Sequence, residues 1–339
     1  MTFCNHPHAF RALALLILFL PIATICFIPA GRDFASAAQL NTTIWVFGGA
    51  VSDGNGGWTS SNGLYSLDIS QSWPTSSPPW TDHSVGVNSS IVEGRVRSTM
   101  QVGADAASLW VYGGNVSATL FLRYNTTTGA WSTMRLQGGI PIQGCSAVRN
   151  ASGTIFYFGG QTDAVNTALK WARNDAVITV DTALGVWDAL PVGNGPLGRL
   201  LHTSTLVNGT MVYIIGGAVP YNASTSILAP MDNITIYDTI DGTWSWSMTT
   251  GSQTPICRSG HTAVLTDRAR CCPNVGFDGN SIITFGGQND VLNDVWTLDV
   301  KTFLWAKPTI TGSVPTTGLY GKNGKNLHIF GLRTCEPQN

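Results

Sequence analysis

Short apolar stretches that end in a pair of glycines recur along the chain. Each stretch is continuously apolar, which is typical of a strand that is buried on both faces. A pattern that returns at roughly 45–50 residues or more predicts an array of similar structural units. The pairs are Gly48 and Gly49, Gly113 and Gly114, Gly159 and Gly160, Gly216 and Gly217, and Gly286 and Gly287.

An alternating strand follows each glycine pair and ends at Asp or Asn. In the fifth copy, residues 295–299, alternation places Trp296 and Leu298 on one face and the other residues on the opposite face. A tryptophan follows six positions after the Asp or Asn in four copies, an offset that is hard to obtain by chance. These pairs are Asn125 and Trp131, Asp181 and Trp187, Asp238 and Trp244, and Asp299 and Trp305; in the first copy Asp68 precedes Trp73 and Trp80.

The repeated residues suit a scaffold. Glycine permits a positive φ and the close approach of a neighbouring unit, and tryptophan fills the wedge between units. We interpret His202 and His261, which follow Gly-Arg and Arg-Ser-Gly, as hydrogen-bonded structural residues. The third copy lacks this histidine and has Cys145 near its place. Three arginines at the start of the units are interpreted as braces between them: Arg95, Arg199 and Arg258.

With Arg and His before the glycine pair and a Leu-Asp strand and Trp after it, the repeat resembles the Kelch motif. The resemblance covers residues 31 to about 331 and implies an all-β, Kelch-type β-propeller of four-stranded blades over 31–339. Within it, residues 65–68 and 76–80 resemble secreted or membrane-attached Kelch proteins of filamentous and zygomycete-type fungi. Complete blades are expected at about 31–80, 94–134, 140–190, 198–248 and 256–305, with a partial sixth at 314–332 that indicates a truncated C-terminus.

Residues 1–30 differ from the rest of the chain. An uncharged apolar run from Ala12 to Ile28 is longer than most secretory signals and shorter than most membrane-spanning helices. We favour a signal peptide that is cleaved near Ala30, with an uncleaved signal-anchor as the alternative and a buried core segment as a third. Ala35-Ser36-Ala37 also fits a cleavage site, but a cut there would remove the start of the first strand.

Composition supports passage through the secretory route. The net charge of −1 gives no electrostatic case for nucleic acid, and charged residues make up only 11% of the chain. Asn-x-Ser/Thr glycosylation sequons are about twice as frequent as this Ser/Thr-rich composition would give by chance. They lie at Asn41, Asn88, Asn115, Asn125, Asn150, Asn208, Asn222 and Asn233.

Seven cysteines leave at least one thiol unpaired or paired with another chain. Pairing among Cys145, Cys257, Cys271, Cys272 and Cys335 stays open, and Cys257 with Cys271 or Cys272 is the best candidate. The Cys/His spacing of zinc sites is absent from the sequence, and no metal or cofactor is expected.

The candidate contact residues are aromatic and lie in the variable loops after the glycine pairs: Trp58, Trp171 and Tyr221. Aromatic side chains on loops of a rigid scaffold are good anchors for a partner. We therefore expect a non-catalytic scaffold that binds a protein or glycan outside the cell or at its surface. One alternative is an extracellular copper oxidase of the galactose oxidase type, whose Tyr and His ligands cannot be placed here by motif. Another is an intracellular Kelch adaptor.

Overall fold

The computed structural model describes residues 27–74, 76–84, 91–114, 120–135, 141–162, 172–173, 176–191, 195–196, 198–221, 225–266, 280–289 and 292–309. Every regular element in these ranges is a β-strand. The expected partial sixth blade and most of the N-terminal apolar run lie outside the described residues.

Five four-stranded antiparallel sheets follow one another, and each arranges its strands in sequence order. We number them as blades one to five. The strands are Ser36–Leu40, Thr43–Phe47, Leu64–Asp68 and Trp80–Asp82 in blade one; Ser98–Val102, Ser108–Gly113, Leu120–Asn125 and Ala130–Arg135 in blade two; Ser146–Arg149, Thr154–Phe158, Ala176–Asp181 and Val186–Pro191 in blade three; Thr203–Val207, Met211–Ile215, Asn233–Asp238 and Trp244–Met248 in blade four; and Thr262–Leu265, Ser281–Phe285, Val295–Asp299 and Leu304–Ala306 in blade five.

The first strand of each blade contacts the first strand of the next, from blade one through blade five. The first strands are therefore innermost, and the fourth strands are outermost. Radially arranged four-stranded sheets define a β-propeller, so the predicted fold class is confirmed.

The loops between second and third strands form one face of the propeller, which we call the loop face. They contain strands of their own: Ala50–Ser52 pairs with Trp58–Ser60 on one side and with Arg32–Asp33 on the other. Gln161–Thr162 pairs with Ala172–Arg173, and Ala218–Pro220 pairs with Ser226–Leu228. We call the opposite face, which carries the short hairpin turns, the turn face.

Apolar side chains pack mainly between consecutive blades. One cluster joins blades one and two, and others join two with three, three with four, and four with five. The repeated tryptophans belong to these contacts: Trp131 lies 5.3 Å from the Phe47 ring of blade one, and Trp305 donates from Nε1 to the Met231 carbonyl of blade four at 2.9 Å. The tryptophans thus fill the wedges between blades, where each buried aromatic contributes about 1.5–3 kcal/mol.

The glycine pairs hold the blades together through the backbone. Gly49, Gly114, Gly160 and Gly217 each donate an N–H to a carbonyl at the start of the next blade, at 2.7–2.8 Å. All four have positive φ, between 88° and 103°, a region in which an L side chain would be strained. At the first glycine of the pair, such as Gly113, an added Cβ would collide with the Ile142 carbonyl oxygen.

The arginines at the blade starts form hydrogen bonds both within their own blade and with the preceding blade. The Arg95 side chain donates to the Gly113 carbonyl of its own blade at 3.2 Å, and Arg258 donates to Gly286 at 3.0 Å. The backbone carbonyl of Arg95 accepts the N–H of Gly49 from blade one. The side chain therefore braces its own blade, and the backbone joins that blade to its predecessor.

Candidate functional site

An open ring of four backbone hydrogen bonds, which we call the ring, links the inner ends of the five blades on the loop face. It is formed by Phe34, Arg97, Gly144, Leu201 and Gly260, which precede the first strands of the five blades. Each of the last four donates its N–H to the carbonyl of the preceding member, at 2.8–3.0 Å. All five have left-handed backbones with φ between 53° and 69°. The ring positions the side chains of three of its members, Phe34, Arg97 and Leu201, without using them in its hydrogen bonds.

In blades three, four and five, the residue after the ring member contacts the preceding blade. The Nε2 of His202 lies 2.7 Å from the Ser146 hydroxyl of blade three, and the Nε2 of His261 lies 3.1 Å from the Thr203 hydroxyl of blade four. In blade three this place is taken by Cys145, whose Sγ lies 3.9 Å from the Thr99 hydroxyl of blade two.

Burial, together with nearby arginine charge, lowers the pKa of both His202 and His261 to about 3. Both side chains are therefore neutral at physiological pH and serve inter-blade hydrogen bonding. Within the described part of the chain, no group of three or more His, Cys, Asp or Glu side chains could hold a metal ion.

A cleft of about 440 Å³ opens on the loop face beside the ring. It spans three blades, and the lining residues that matter most are Asp33, Phe34, Trp58, Arg97 and Gln143. The first three belong to blade one, Arg97 to blade two and Gln143 to blade three. Volumes of this size are in the range of ligand sites in proteins.

The rim of the cleft carries aromatic and cationic groups. The Arg97 guanidinium lies 4.8 Å over the Phe34 ring, and its Nη1 lies 3.5 Å from Gln143 Oε1. The Trp58 side chain belongs to the small three-stranded sheet and is 51% exposed. This combination gives a surface that can stack on an apolar or planar group.

Asp33 is the unusual member of the cleft. The residue is 5% exposed, and burial raises the pKa of its carboxyl to about 6. Within the described ranges, the ion pairs are Arg123 with Asp105 and Arg258 with Asp294, so Asp33 has no cationic partner there.

The predicted contact residues do not form one site. Trp58 lines the cleft, whereas Tyr221, 71% exposed, follows a short hairpin strand of blade four and is not part of it. Trp171 lies outside the described residues. Sequence reasoning missed Asp33, Phe34, Arg97 and Gln143. The signal for Arg97 was a charged residue two positions after the blade-start Arg95, where blade five has Gly260.

The sequons fall in different environments. Asn41 and Asn208 are exposed at turns between first and second strands, on the turn face. Asn125 and Asn150 accept backbone N–H groups through Oδ1, and Asn233 begins the third strand of blade four. Asn88, Asn115 and Asn222 lie outside the described residues, and glycosylation stays a prediction at all eight.

The predicted disulfide of Cys257 with Cys271 or Cys272 is not formed in this structure. Cys145 and Cys257 are free thiols, and the expected partners Cys271 and Cys272 lie outside the described residues, as does Cys335. Burial raises the pKa of the Cys145 thiol to about 11, so this thiol is protonated and unreactive.

The chain belongs to the Attractin/LZTR1 beta-propeller family, whose profile matches residues 21–280, and a Kelch motif matches residues 269–309. The Kelch resemblance seen in the sequence is confirmed. Among the parts that the structure describes, no helix is both long and apolar enough to cross a membrane.

Three mammalian relatives illustrate the similarity. Human host cell factor 2 is 28% identical over 225 residues, which are 61% of this chain and 26% of that protein. Human host cell factor 1 is 27% identical over 226 residues, 61% of this chain and 10% of that protein. Rat Kelch domain-containing protein 3 is 27% identical over 202 residues, 57% of this chain and 47% of that protein. The matched region thus spans less than half the length of each of these relatives.

Proposed function

We propose that the protein is a non-catalytic binding scaffold that receives a partner at the loop face. The observation that carries the proposal is the cleft of about 440 Å³, which is built from three blades and bordered by the exposed Trp58. Rigid blades with a chemically varied cleft at the loop ends are suited to holding a partner in a fixed orientation.

The side chains of the Kelch motif form hydrogen bonds within and between blades. His202 and His261 contact hydroxyls of neighbouring blades, and Arg95 and Arg258 donate to backbone carbonyls. The capacity for recognition therefore lies in the side chains of the loops and of the ring, which differ from blade to blade.

We place this function outside the cell or at its surface, with a protein or a glycan as the partner. The support is the apolar run from Ala12 to Ile28 and the eight sequons, two of which, Asn41 and Asn208, are exposed on the turn face. Glycans at that face would leave the loop-face cleft open. An intracellular adaptor is the competing location.

Site-specific photo-crosslinking tests the binding face. A photoreactive phenylalanine analogue replaces Trp58 in one variant and Ile240 in a control; Ile240 is 74% exposed and lies in a turn-face hairpin. We expect a discrete adduct from position 58, whose partner, once purified, binds the native chain and loses affinity with Trp58→Ala. Adducts from position 240 alone would refute the proposal.

A further inference from the structure

We propose that the cleft receives a basic side chain, lysine or arginine, of a protein partner, and that Asp33 is its counter-ion. This inference rests on the proposed function and adds the chemistry that the partner must present. Three observations support it: the geometry of the small sheet, the lack of a cationic partner for Asp33 among the described residues, and the aromatic border of the cleft.

The small sheet directs Asp33 and Trp58 to the same side. Asp33 pairs with Ala50, and Ala50 pairs with Ser60, so these three side chains share a face of the sheet. Trp58 lies two residues before Ser60 and therefore shares that face too. All four residues line the cleft. Two strand spacings, roughly 10 Å, separate Asp33 from the strand of Trp58, enough for a long side chain.

The neighbouring arginines are engaged elsewhere. Arg32 lies on the opposite face of the small sheet, donates from Nη1 to the Gly48 carbonyl at 2.8 Å, and has its guanidinium 4.4 Å over the Tyr65 ring. Arg97 lies over Phe34 and next to Gln143. A carboxylate that is nearly buried and lacks a cation is costly, so a cation that enters the cleft offsets this cost.

The border of the cleft suits the rest of a basic side chain. Lysine and arginine bury their methylene stems along apolar surface and keep the charged end at a polar group. Trp58 and Phe34 supply the aromatic surface, and a cation near such rings is further attracted to them. An anionic ligand would meet the Asp33 carboxylate in the cleft lining, whereas the Arg97 guanidinium already lies over Phe34 and beside Gln143.

Selection of peptides tests the inference. Random peptides displayed on phage are selected on the purified full chain, and single binders are then synthesised for titration. We expect the selected sequences to share a Lys or Arg next to apolar residues. Asp33→Asn should weaken such peptides by at least about tenfold, because it leaves the basic group buried without its charge partner. Asp241→Asn, an exposed change on the turn face, should have no effect.

Replacing the basic residue of the peptide with norleucine completes the comparison. We expect the norleucine peptide to bind the native chain about tenfold or more weakly and to be indifferent to Asp33→Asn. Thermal unfolding of each variant shows that the fold is retained. Such non-additivity identifies a direct pair between the two groups, which a general loss of structure would not produce.

Two results would overturn the inference, and they differ in what they mean. Peptides that lose affinity with Trp58→Ala but show no basic residue and tolerate Asp33→Asn refute the counter-ion and leave the proposed binding face standing. Peptides that tolerate both variants, or a library that yields no binder, count against the binding face itself.

Discussion

Burial disfavours the charged form of the Asp33 carboxyl group, so the folded chain binds the proton of this group more tightly than an unfolded chain would. Its folded pKa of about 6 exceeds the ordinary value of 3.8. The stability that this proton provides is therefore present below about pH 4 and is lost as the pH rises through about 6.

Replacing the carboxylate should therefore stabilise the protein at neutral pH. We expect Asp33→Asn to raise the melting temperature at pH 7, and the difference from the native chain to shrink towards pH 4. Thermal unfolding at several pH values measures this, with Asp241→Asn as the exposed control. A melting temperature that falls at pH 7 would mean that Asp33 supports the fold rather than a ligand.

His202 and His261 impose a pH dependence of the opposite sign. Their folded pKa values of about 3 lie below the ordinary value of 6.5, so the unfolded chain takes up protons first as the solution is acidified. Stability should fall as the pH drops from about 6.5 towards 3, by up to about 1.4 kcal/mol per pH unit for each histidine.

Urea unfolding between pH 7 and pH 5 checks this expectation. The double variant His202→Gln with His261→Gln should be less stable at pH 7, because it loses two inter-blade contacts, but should show a shallower pH slope. His83, whose pKa is also lowered by burial, is kept as an internal reference. An unchanged slope in the double variant would show that other groups cause the acid sensitivity.

At the scale of the element, the glycine pairs offer a comparison that separates two causes. Gly113 and Gly56 both have positive φ, 75° and 87°. An added Cβ at Gly113 collides with the Ile142 carbonyl oxygen of the next blade, whereas nothing lies within 4 Å of one at Gly56.

We expect Gly56→Ala to cost only the left-handed backbone strain, about 1–2 kcal/mol, and Gly113→Ala to cost clearly more. The difference measures the close approach of blades two and three. The free energy of unfolding in denaturant gives both values. Equal losses would mean that backbone conformation alone explains the glycine.

The sequence predicted the all-β propeller and the scaffold role of its motif because these depend on local periodicity and on turn residues that recur in every unit. It did not predict the small sheet of blade one. The segment between Ala50 and Gly63 is rich in Gly, Ser and Asn and indicated only a loop, but two strands form there because Arg32–Asp33 offers a free edge for pairing.

The cleft was predicted only through Trp58, and the binding role of this residue is still a prediction. Asp33 stands beside Arg32 in the sequence, which is typical of a solvated ion pair on a surface. The short strand sends the two side chains to opposite faces, and tertiary packing then buries both. No periodicity in a single sequence carries that information.

At the scale of the whole molecule, glycosylation tests the location. If the chain enters the secretory route, an enzyme that removes N-glycans should increase its gel mobility in the medium or membrane fraction. Asn41→Gln and Asn208→Gln should each reduce that shift, since both sites are exposed in turns.

Fractionation supplies the outcome that would contradict the secretory location. A chain that remains in the cytosol with unchanged mobility after enzyme treatment would favour the intracellular adaptor. A chain that stays with alkali-washed membranes would favour the signal-anchor over the cleaved signal peptide. Neither result would bear on which face of the propeller binds.

The central ring of backbone hydrogen bonds also has an evolutionary consequence. The links from Phe34 to Gly260 use only backbone N–H and carbonyl groups. A change of side chain at Phe34 or Arg97 therefore alters the lining of the cleft and leaves these backbone hydrogen bonds in place. The left-handed backbone restricts but does not fix the choice of residue, since Phe, Arg, Gly and Leu all occur there. Single substitutions can therefore change which partner the cleft binds. After a gene duplication, the two copies could differ in binding specificity while they keep the same fold.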